Sequence, residues 1–396
     1  MKYTRRNILQ TITAITGAAI LPLESEAKRG PVKHLKNATF LPEGNPEDLD
    51  ELINLFDFEK KAEGVMSKMA YEYVASGAAD ENTLKWNREA LDKIKMQTHV
   101  LNDVSKIDTK VSILGQELAY PILIAPSAFH KIMHPEGEIA TARGAGLAST
   151  TYVVSSFTTT PIEEIAKVAT QPLWFQLYLV HDKTFVKDLI QKVEAQGIKA
   201  LCVTVDTPVT GARNRQQRVK FKLPPELNAP YMVDTSISRG QGQPVQVPVT
   251  WKDIEWLKSF AKIPILLKGI LNPADAEQAV KAGVSGIIVS NHGARNLDTV
   301  PATIEVLPYI TQKVNQRIPV LVDGGVRRGT DIVKAIALGA NGVLIGRPIC
   351  YGLACGGAEG VAKVLEILQK ELQMAMALTG TASIARIDQS FIWKEK

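Results

Sequence analysis

The stretch Gly286 to Asp298, GIIVSNHGARNLD, sets a histidine and an arginine three residues apart just after an apolar run. His292 can take a proton, and Arg295 offers a planar fork of donors that matches a carboxylate bidentately. A base beside a carboxylate clamp suits an acid substrate that loses a proton or a hydride next to its carboxyl group. The competing reading is a solvated loop with an incidental His and Arg, and the remainder of the chain bears on the choice.

Lys268 also ends an apolar run, Pro264 to Leu267. A buried amine there has two uses: with a lowered pKa it forms a Schiff base, as in an aldolase, and as a fixed cation it sits beside a cofactor ring, as in a flavoenzyme. Gln176, Thr204 and Ser155 on neighbouring runs suit the heteroatom edge of a flavin, and both readings stand at this point. The strings DGGVRRG and IGRP place backbone donors without Cβ obstruction next to Arg327 and Arg347, a phosphate-binding composition. No GxGxxG follows a strand and no GxxxxGK[ST] occurs, so a Rossmann-bound dinucleotide is excluded.

These residues need elements to position them. Eight apolar runs follow one another: Ile122–Ala125, Tyr152–Val154, Trp174–Tyr178, Ala200–Val205, Pro264–Leu267, Gly286–Val289, Pro319–Val322 and Gly342–Ile345. Helix-length stretches separate most of them, such as Glu136–Leu147, Lys183–Gln196, Pro273–Ala282 and Asp331–Leu338. Parallel strands with helices outside, closed as a single (β/α)8 TIM barrel, are the expectation. In such a barrel reactive side chains gather where strands end, and the tips here read Ser127-Ala128, Ser155-Ser156, Gln176 and Tyr178, Thr204 and Asp206, Lys268, Ser290 and His292, Asp323-Gly324-Gly325 and Gly346-Arg347, as a ligand pocket needs. Ahead of the barrel a helical extension begins near Leu49, with a short helix over Ser67–Ala75 that Gly77 should close as a left-handed cap. Tyr71 and Tyr73, two apart in that helix, point different ways, one toward the core and one toward a site. The long segment Pro208–Thr250 after the fourth strand, rich in Pro, Gln and Gly, reads as a lid.

Composition narrows the function. The 396 residues are 45% hydrophobic with a net charge of +5, ordinary globular values that suit an anionic small molecule better than a nucleic acid. The densest basic cluster, Arg213 to Lys222, reads as a solvated loop. Three cysteines, Cys202, Cys350 and Cys355, without a CxxC pair, propose neither a disulfide framework nor a metal site, and Cys202 belongs in the core. At the N-terminus, Arg5 and Arg6 precede an uncharged stretch to Leu23, and Ser25-Glu26-Ala27 offers a cleavage site. This resembles a twin-arginine signal over residues 1–27, followed by a linker over 28–48 and the enzymatic domain over 49–396, and it implies an exported, periplasmic protein.

In this order, YEYVASGAADENTLKWN, IAPSAFHKIMHPEGE, FQLY, TVDTP, LLKG, IIVSNHGARNLD, DGGVRRGTD and IGRP resemble the FMN-dependent α-hydroxy acid oxidases and dehydrogenases, the family of glycolate oxidase and L-lactate oxidase. The likeness runs from about Phe56 to Leu378. It implies FMN as cofactor and His292 as the active-site base, held and made more basic by Asp206. Arg213 and Arg295 would clamp the substrate carboxylate, Tyr73 and Tyr178 would hydrogen-bond the substrate, and Lys268 would stabilise charge on the reduced flavin. Ser155, Gln176, Thr204 and Ser290 would touch the isoalloxazine, while Pro126, Ser127 and Ala128 would line its face. Asp323, Gly324, Gly325, Arg327, Gly346 and Arg347 would bind ribityl and phosphate. The family also implies a homotetramer.

Two positions depart from the glycolate oxidase pattern, with Phe157 in place of Trp and Thr210 in place of an aliphatic residue. Small Ala128 and several aromatics favour a compact 2-hydroxy acid, with L-lactate the first choice. Oxygen is the expected acceptor because Pro208–Thr250 lacks an apolar stretch for membrane docking, and no haem-binding domain is expected ahead of the barrel. The alternatives are a dehydrogenase that feeds a quinone or cytochrome and, more distantly, the Lys268 aldolase.

Overall fold

The computed structural model describes residues 49–231 and 248–394, so the signal, the linker and residues 232–247 of the long loop lie outside the described residues. Three helices come first, α1 (Leu55–Val65), α2 (Lys68–Ala75) and α3 (Asn82–Lys93), followed by an antiparallel hairpin, β1 (Val111–Ile113) and β2 (Gln116–Leu118). Eight barrel strands follow: β3 (Ile122–Ile124), β4 (Tyr152–Ser155), β5 (Leu173–Leu177), β6 (Leu201–Thr204), β7 (Ile265–Ile270), β8 (Gly286–Val289), β9 (Val320–Asp323) and β10 (Gly342–Ile345). Each pairs in parallel with the next and β10 returns to β3, closing the barrel. The helices between and after them are α4 (Glu138–Leu147), α5 (Ile162–Val168), α6 (Lys183–Ala195), α7 (Asn214–Arg218), α8 (Trp251–Lys258), α9 (Pro273–Lys281), α10 (Thr303–Val314), α11 (Gly329–Ala337) and α12 (Arg347–Thr379). All eight apolar runs are strands of the barrel.

The strands are short because alternation lets each serve two cores at once. Leu123, Val153, Trp174, Cys202, Leu266, Ile288, Leu321 and Leu344 point into the barrel and fill it, and Ile113 and Leu118 of the hairpin join that cluster. Their neighbours, Ile122, Ile124, Val154, Phe175, Val203, Leu267, Ile287, Val289 and Val343, face the helices. With the barrel packed solid, only the strand tips are left for chemistry.

One local feature differs from the expectation, and a second lies outside it. The helix α2 stops as expected at Ala75, but the residue after it, Ser76, is extended (φ −66°, ψ 147°), and Gly77 is not left-handed. Gly77 instead permits a close approach, since a Cβ there would lie 3.2 Å from the Ala294 carbonyl oxygen. The second feature is α12, which continues from the β10 tip through a kink at Gly356 and Gly357. Its two arms touch there: a Cβ on Gly352 would meet the Gly360 carbonyl oxygen at 2.6 Å.

The first turn of α3 begins at left-handed Glu81 and has no side-chain cap of its own. Asp298, from the loop after β8, supplies one: its carboxylate accepts from Thr83 N (2.8 Å), Asn82 Nδ2 (3.1 Å) and Asp80 N (3.2 Å). An anion at a helix N-terminus that satisfies three donors is stabilising through both the dipole and the hydrogen bonds. Asp298→Ala should therefore cost about 2 kcal/mol. A Tm equal to that of the parent in thermal melts at neutral pH would show that α3 does not depend on this cap.

Candidate active site

Side chains of six strand tips form a continuous polar band. Ser155 Oγ donates to Gln176 Oε1 (3.0 Å), and Gln176 Nε2 donates to Thr204 Oγ1 (2.9 Å). Thr204 pairs in register with Lys268, whose Nζ donates to Ser290 Oγ (2.8 Å) and lies 3.1 Å from Asp323 Oδ2. Burial alone pushes the Lys268 ammonium down, but Asp323 first and then Asp206 raise it above the ordinary lysine value. A Schiff-base lysine needs the opposite shift, so the geometry favours the fixed cation.

His292 sits across from this band on an unusual turn. Three consecutive residues, His292 (φ 59°), Gly293 (φ 61°) and Ala294 (φ 61°), are left-handed, a costly conformation for the two that carry a Cβ. The turn is held from several sides. His292 N donates to Ser290 Oγ (3.1 Å), Ala294 N to Asn291 Oδ1 (3.1 Å), and the Ala294 carbonyl accepts from Ala78 N (2.7 Å). Asn291 is in turn locked to Asn87 by two amide bonds of 2.7 and 3.0 Å. Gly293 is needed where it stands, because a Cβ would lie 2.9 Å from an Arg347 nitrogen.

This turn aims the imidazole. His292 Nδ1 lies 3.0 Å from Asp206 Oδ1, and Nε2 lies 3.3 Å from the Tyr178 hydroxyl. Asp206 at Nδ1 sets the tautomer that leaves a lone pair on Nε2. Burial lowers the imidazole pKa below the ordinary 6.5, Asp206 opposes that shift, and Lys268 and Arg213 add to it. The result is a neutral acceptor at neutral pH. Asp206 itself, buried but paired with His292, stays below the usual carboxylate range.

The arginines supply the charge. Arg213, Arg295 and Arg347 line the same cavity as His292 and Lys268, and burial lowers all three, Arg295 and Arg347 to about 10. Among the described residues no carboxylate forms an ion pair with any of them. Backbone carbonyls hold them instead: Arg295 donates to Tyr73 O (2.6 Å) and Ser76 O (3.0 Å), Arg347 to Val74 O (3.0 Å) and Ser76 O (2.9 Å), and Arg213 to Arg295 O (3.0 Å). Buried cations with no acid partner call for anions from outside. Arg327, also lining the cavity, donates to Val326 O (3.0 Å) and is 3.9 Å from Glu59.

Of the residues read from the sequence, Tyr73, Pro126, Ser127, Ala128, Ser155, Gln176, Tyr178, Thr204, Arg213, Lys268, His292, Arg295, Asp323, Gly324, Gly325, Arg327, Gly346 and Arg347 line one cavity. Asp206 and Ser290 stand behind it, one bonded to His292 and the other to Lys268. Arg213, placed by its sequence in a solvated basic cluster, is part of the wall, and Arg215 of the same cluster pairs with Glu72 (2.6 Å). Phe221, at the end of that cluster, stacks on Tyr73 at 4.3 Å between centroids. Tyr73 is at once buried and part of the cavity wall, whereas Tyr71 is half-buried against Tyr351.

Sequence reading missed the supports. Thr207 Oγ1 donates to Asp206 Oδ1 (3.1 Å), and Asn296 Nδ2 donates to Thr207 Oγ1 (2.7 Å) and Asp206 O (2.9 Å). Their only signal is adjacency, Thr207 to Asp206 and Asn296 to Arg295. Met133, Gln216 and Cys350 also line the cavity.

The FMN expected from the sequence fits this donor set. Asp323 Oδ1 is buried and has no hydrogen-bond partner among the described residues, which fits a ribityl hydroxyl. Left-handed Gly324 (φ 104°) and Gly325 (φ 80°) keep side chains off the cavity floor beside Arg327 and Arg347, where a phosphate belongs. Lys268 supplies a cation among neutral polar groups that suit a flavin ring edge.

Known proteins agree with this geometry. Residues 62–394 match the FMN-dependent dehydrogenase family. The chain is 46% identical to an L-lactate oxidase of Nostoc sp. over 356 residues, 86% of this chain and 98% of that one. It is 44% identical to a 2-hydroxyacid oxidase of Dictyostelium discoideum (88% and 92% covered) and 42% identical to glycolate oxidase 3 of Oryza sativa subsp. indica (87% and 97% covered). A crystal structure of mandelate oxidase with benzoyl-formic acid superposes with a TM-score of 0.81 at 37% identity, covering 87% of this chain and 98% of that one. With a TIM barrel whose strand tips gather a histidine, arginines and a lysine in one cavity, the chain belongs to the FMN-dependent 2-hydroxy acid oxidase family.

Proposed function

We propose that the protein oxidises a short (S)-2-hydroxy acid of the size of L-lactate to the 2-oxo acid, with oxygen as acceptor and hydrogen peroxide as product. The observation that carries this reading is a neutral His292 Nε2 facing the same cavity as two arginines without acid partners. Arg213 and Arg295 bind the carboxylate and fix the substrate's orientation. Tyr178, with its hydroxyl beside Nε2 and its pKa raised by burial, stays protonated and can donate to the substrate oxygen. His292 Nε2 takes the proton, and Asp206 steadies the imidazolium that results. FMN, when bound, accepts the two electrons that leave C2. Lys268 holds positive charge at the polar band where that negative charge is received.

The aromatic walls support a compact substrate: Phe157 stacks on Tyr178 (4.7 Å) and on Phe129 (6.1 Å). Oxygen as acceptor is supported by relatives that are themselves oxidases. Adding L-lactate to the FMN-loaded protein without oxygen should bleach the flavin absorbance, and air should restore it at least as fast as the enzyme turns over. Reoxidation in air much slower than turnover with a quinone analogue would assign a dehydrogenase instead.

The pH dependence follows from His292. A lowered pKa means the base is free over the neutral range and is lost only on the acid side, so the acid limb of kcat/KM should fall below pH 6.5. Asp206→Asn removes the largest influence that raises that pKa, so the limb should move further toward acid while kcat drops by about 10²- to 10⁴-fold. An acid limb that stays in place, or moves up, in this variant would remove Asp206 from the role of positioning residue.

Export by the twin-arginine route, to the periplasm, is proposed from Arg5-Arg6 and the uncharged stretch after them. Replacing both arginines with lysine keeps the charge and should leave the precursor in the cytoplasm. Undiminished periplasmic activity in cell fractions of that variant would refute the assignment.

A further inference from the structure

Two residues of the cavity wall carry polar atoms that take no part in the chemistry above. Thr210 Oγ1 and Gln216 Oε1 are both buried, both belong to residues that line the cavity, and neither has a hydrogen-bond partner among the described residues. A buried polar atom left unpaired costs free energy, and two on one wall of a binding cavity point to a ligand group.

The segment that carries them is fixed in place, so relaxation does not readily pair them elsewhere. It is the segment of Arg213, between β6 and the end of α7. Gly211 lies against the loop after β8, where an added Cβ would meet the Asn296 carbonyl oxygen at 2.2 Å and the Arg295 carbonyl oxygen at 2.6 Å. The Gln216 carbonyl accepts from Phe221 N (3.2 Å), and the Phe221 ring stacks on Tyr73. Both orphan atoms are thus carried by the same short stretch as the carboxylate clamp. The cavity's apolar wall is supplied by Phe157 and Met133.

We infer that Thr210 and Gln216 form a polar subsite for the substituent on C3 of the substrate, and that the favoured substrate is a 2,3-dihydroxy acid of lactate's size, L-glycerate being the simplest. This rests on the reading of the cavity as a 2-hydroxy acid site and sharpens its substrate class. The Gln216 amide can turn its oxygen or its nitrogen to the substituent, and Thr210 Oγ1 can donate or accept, so the group that fits is one that both donates and accepts. An ammonium group donates but meets Arg213, Arg295 and Lys268 in the same cavity, and like charges there are unfavourable. A second carboxylate offers no donor. A hydroxyl has both the donor that Gln216 Oε1 needs and an acceptor for Thr210 Oγ1, while the methyl of lactate has neither. Oxidation keeps the balance set out for lactate. The C2–H and O–H bonds break, C2=O forms, two electrons pass through FMN to oxygen, and two protons end in hydrogen peroxide. The C3 hydroxyl is untouched, and the product is a 3-hydroxy-2-oxo acid.

The experiment uses the FMN-loaded full chain and two readouts. The first is the ratio of kcat/KM for L-glycerate to that for L-lactate. The second is the ratio of affinities of the oxidised enzyme for 3-hydroxypyruvate and pyruvate, read from the perturbation of flavin absorbance. In the parent protein both ratios should favour the hydroxylated ligand by roughly tenfold or more. The near-isosteric Thr210→Val, and Gln216→Leu, should each lower both ratios at least about threefold, whereas Thr210→Ser, which keeps the hydroxyl, should retain them. Ratios near one in the parent, or ratios that neither Thr210→Val nor Gln216→Leu changes, overturn the subsite. Bleaching by L-glycerate but not by L-lactate would support the subsite and remove lactate as the substrate. If neither acid reduces the flavin, the hydroxy acid reading fails on its own, and the two affinities still decide for or against the polar pair.

Discussion

The contact between His292 Nδ1 and Asp206 Oδ1, at 3.0 Å, is the constraint that most of the active face serves. The His292 imidazole is surrounded by positive charge, which makes its proton affinity low. Asp206 restores enough of it for the imidazole to accept a proton. Much of the neighbouring sequence follows from keeping this pair together. Gly269 bulges β7 so that Asp206 can approach, and any Cβ there would lie 2.5 Å from the aspartate side chain. Thr207 and Asn296 fix the aspartate from one side, and the left-handed turn at His292 to Ala294 presents the imidazole from the other. That turn is strained, and it persists because asparagine pairs, a serine and a neighbouring backbone amide all specify it.

The arginines obey a second rule. A guanidinium beside a carboxylate would be satisfied before any ligand arrived, so the site uses carbonyl oxygens as supports. Carbonyls hold position without cancelling charge. Tyr73, Val74 and Ser76 provide three of them, all from the end of α2, where the helix leaves its last carbonyls free. One short helix end thus orients Arg295 from the β8 loop and Arg347 from the β10 tip, and Tyr73 adds its ring beneath the Arg295 guanidinium at 5.0 Å.

Much of this was legible in the sequence because parallel barrel strands are apolar runs, and because reactive residues sit where those runs stop. His292, Lys268, Asp323 and Arg347 could all be placed that way. What was not legible depends on contacts distant in sequence. Nothing near Asn82 announces that Asp298 caps its helix, and nothing near β7 announces that Gly269 makes room for Asp206. Gly77 has the composition of a left-handed cap but serves as a point of close approach, a distinction set by Ala294, more than two hundred residues away. Most of the basic residues from Arg213 to Lys222 do face solvent, but Arg213 itself turns to the cavity, a placement set by the loop after β8 rather than by its own neighbours.

The same long reach has a consequence for the order in which the protein is made. The α2 and α3 helices are synthesised early, but their anchors, Asp298, Arg295 and Arg347, emerge only after most of the barrel. A growing chain can collapse its first strands, yet the Tyr73–Ser76 corner has nothing to grip until the β8 loop brings Arg295, and it gains Arg347 only after β10 has left the ribosome. Chains that stop before the β8 loop therefore lack Arg295, and with it the contacts that hold the end of α2 to the barrel face.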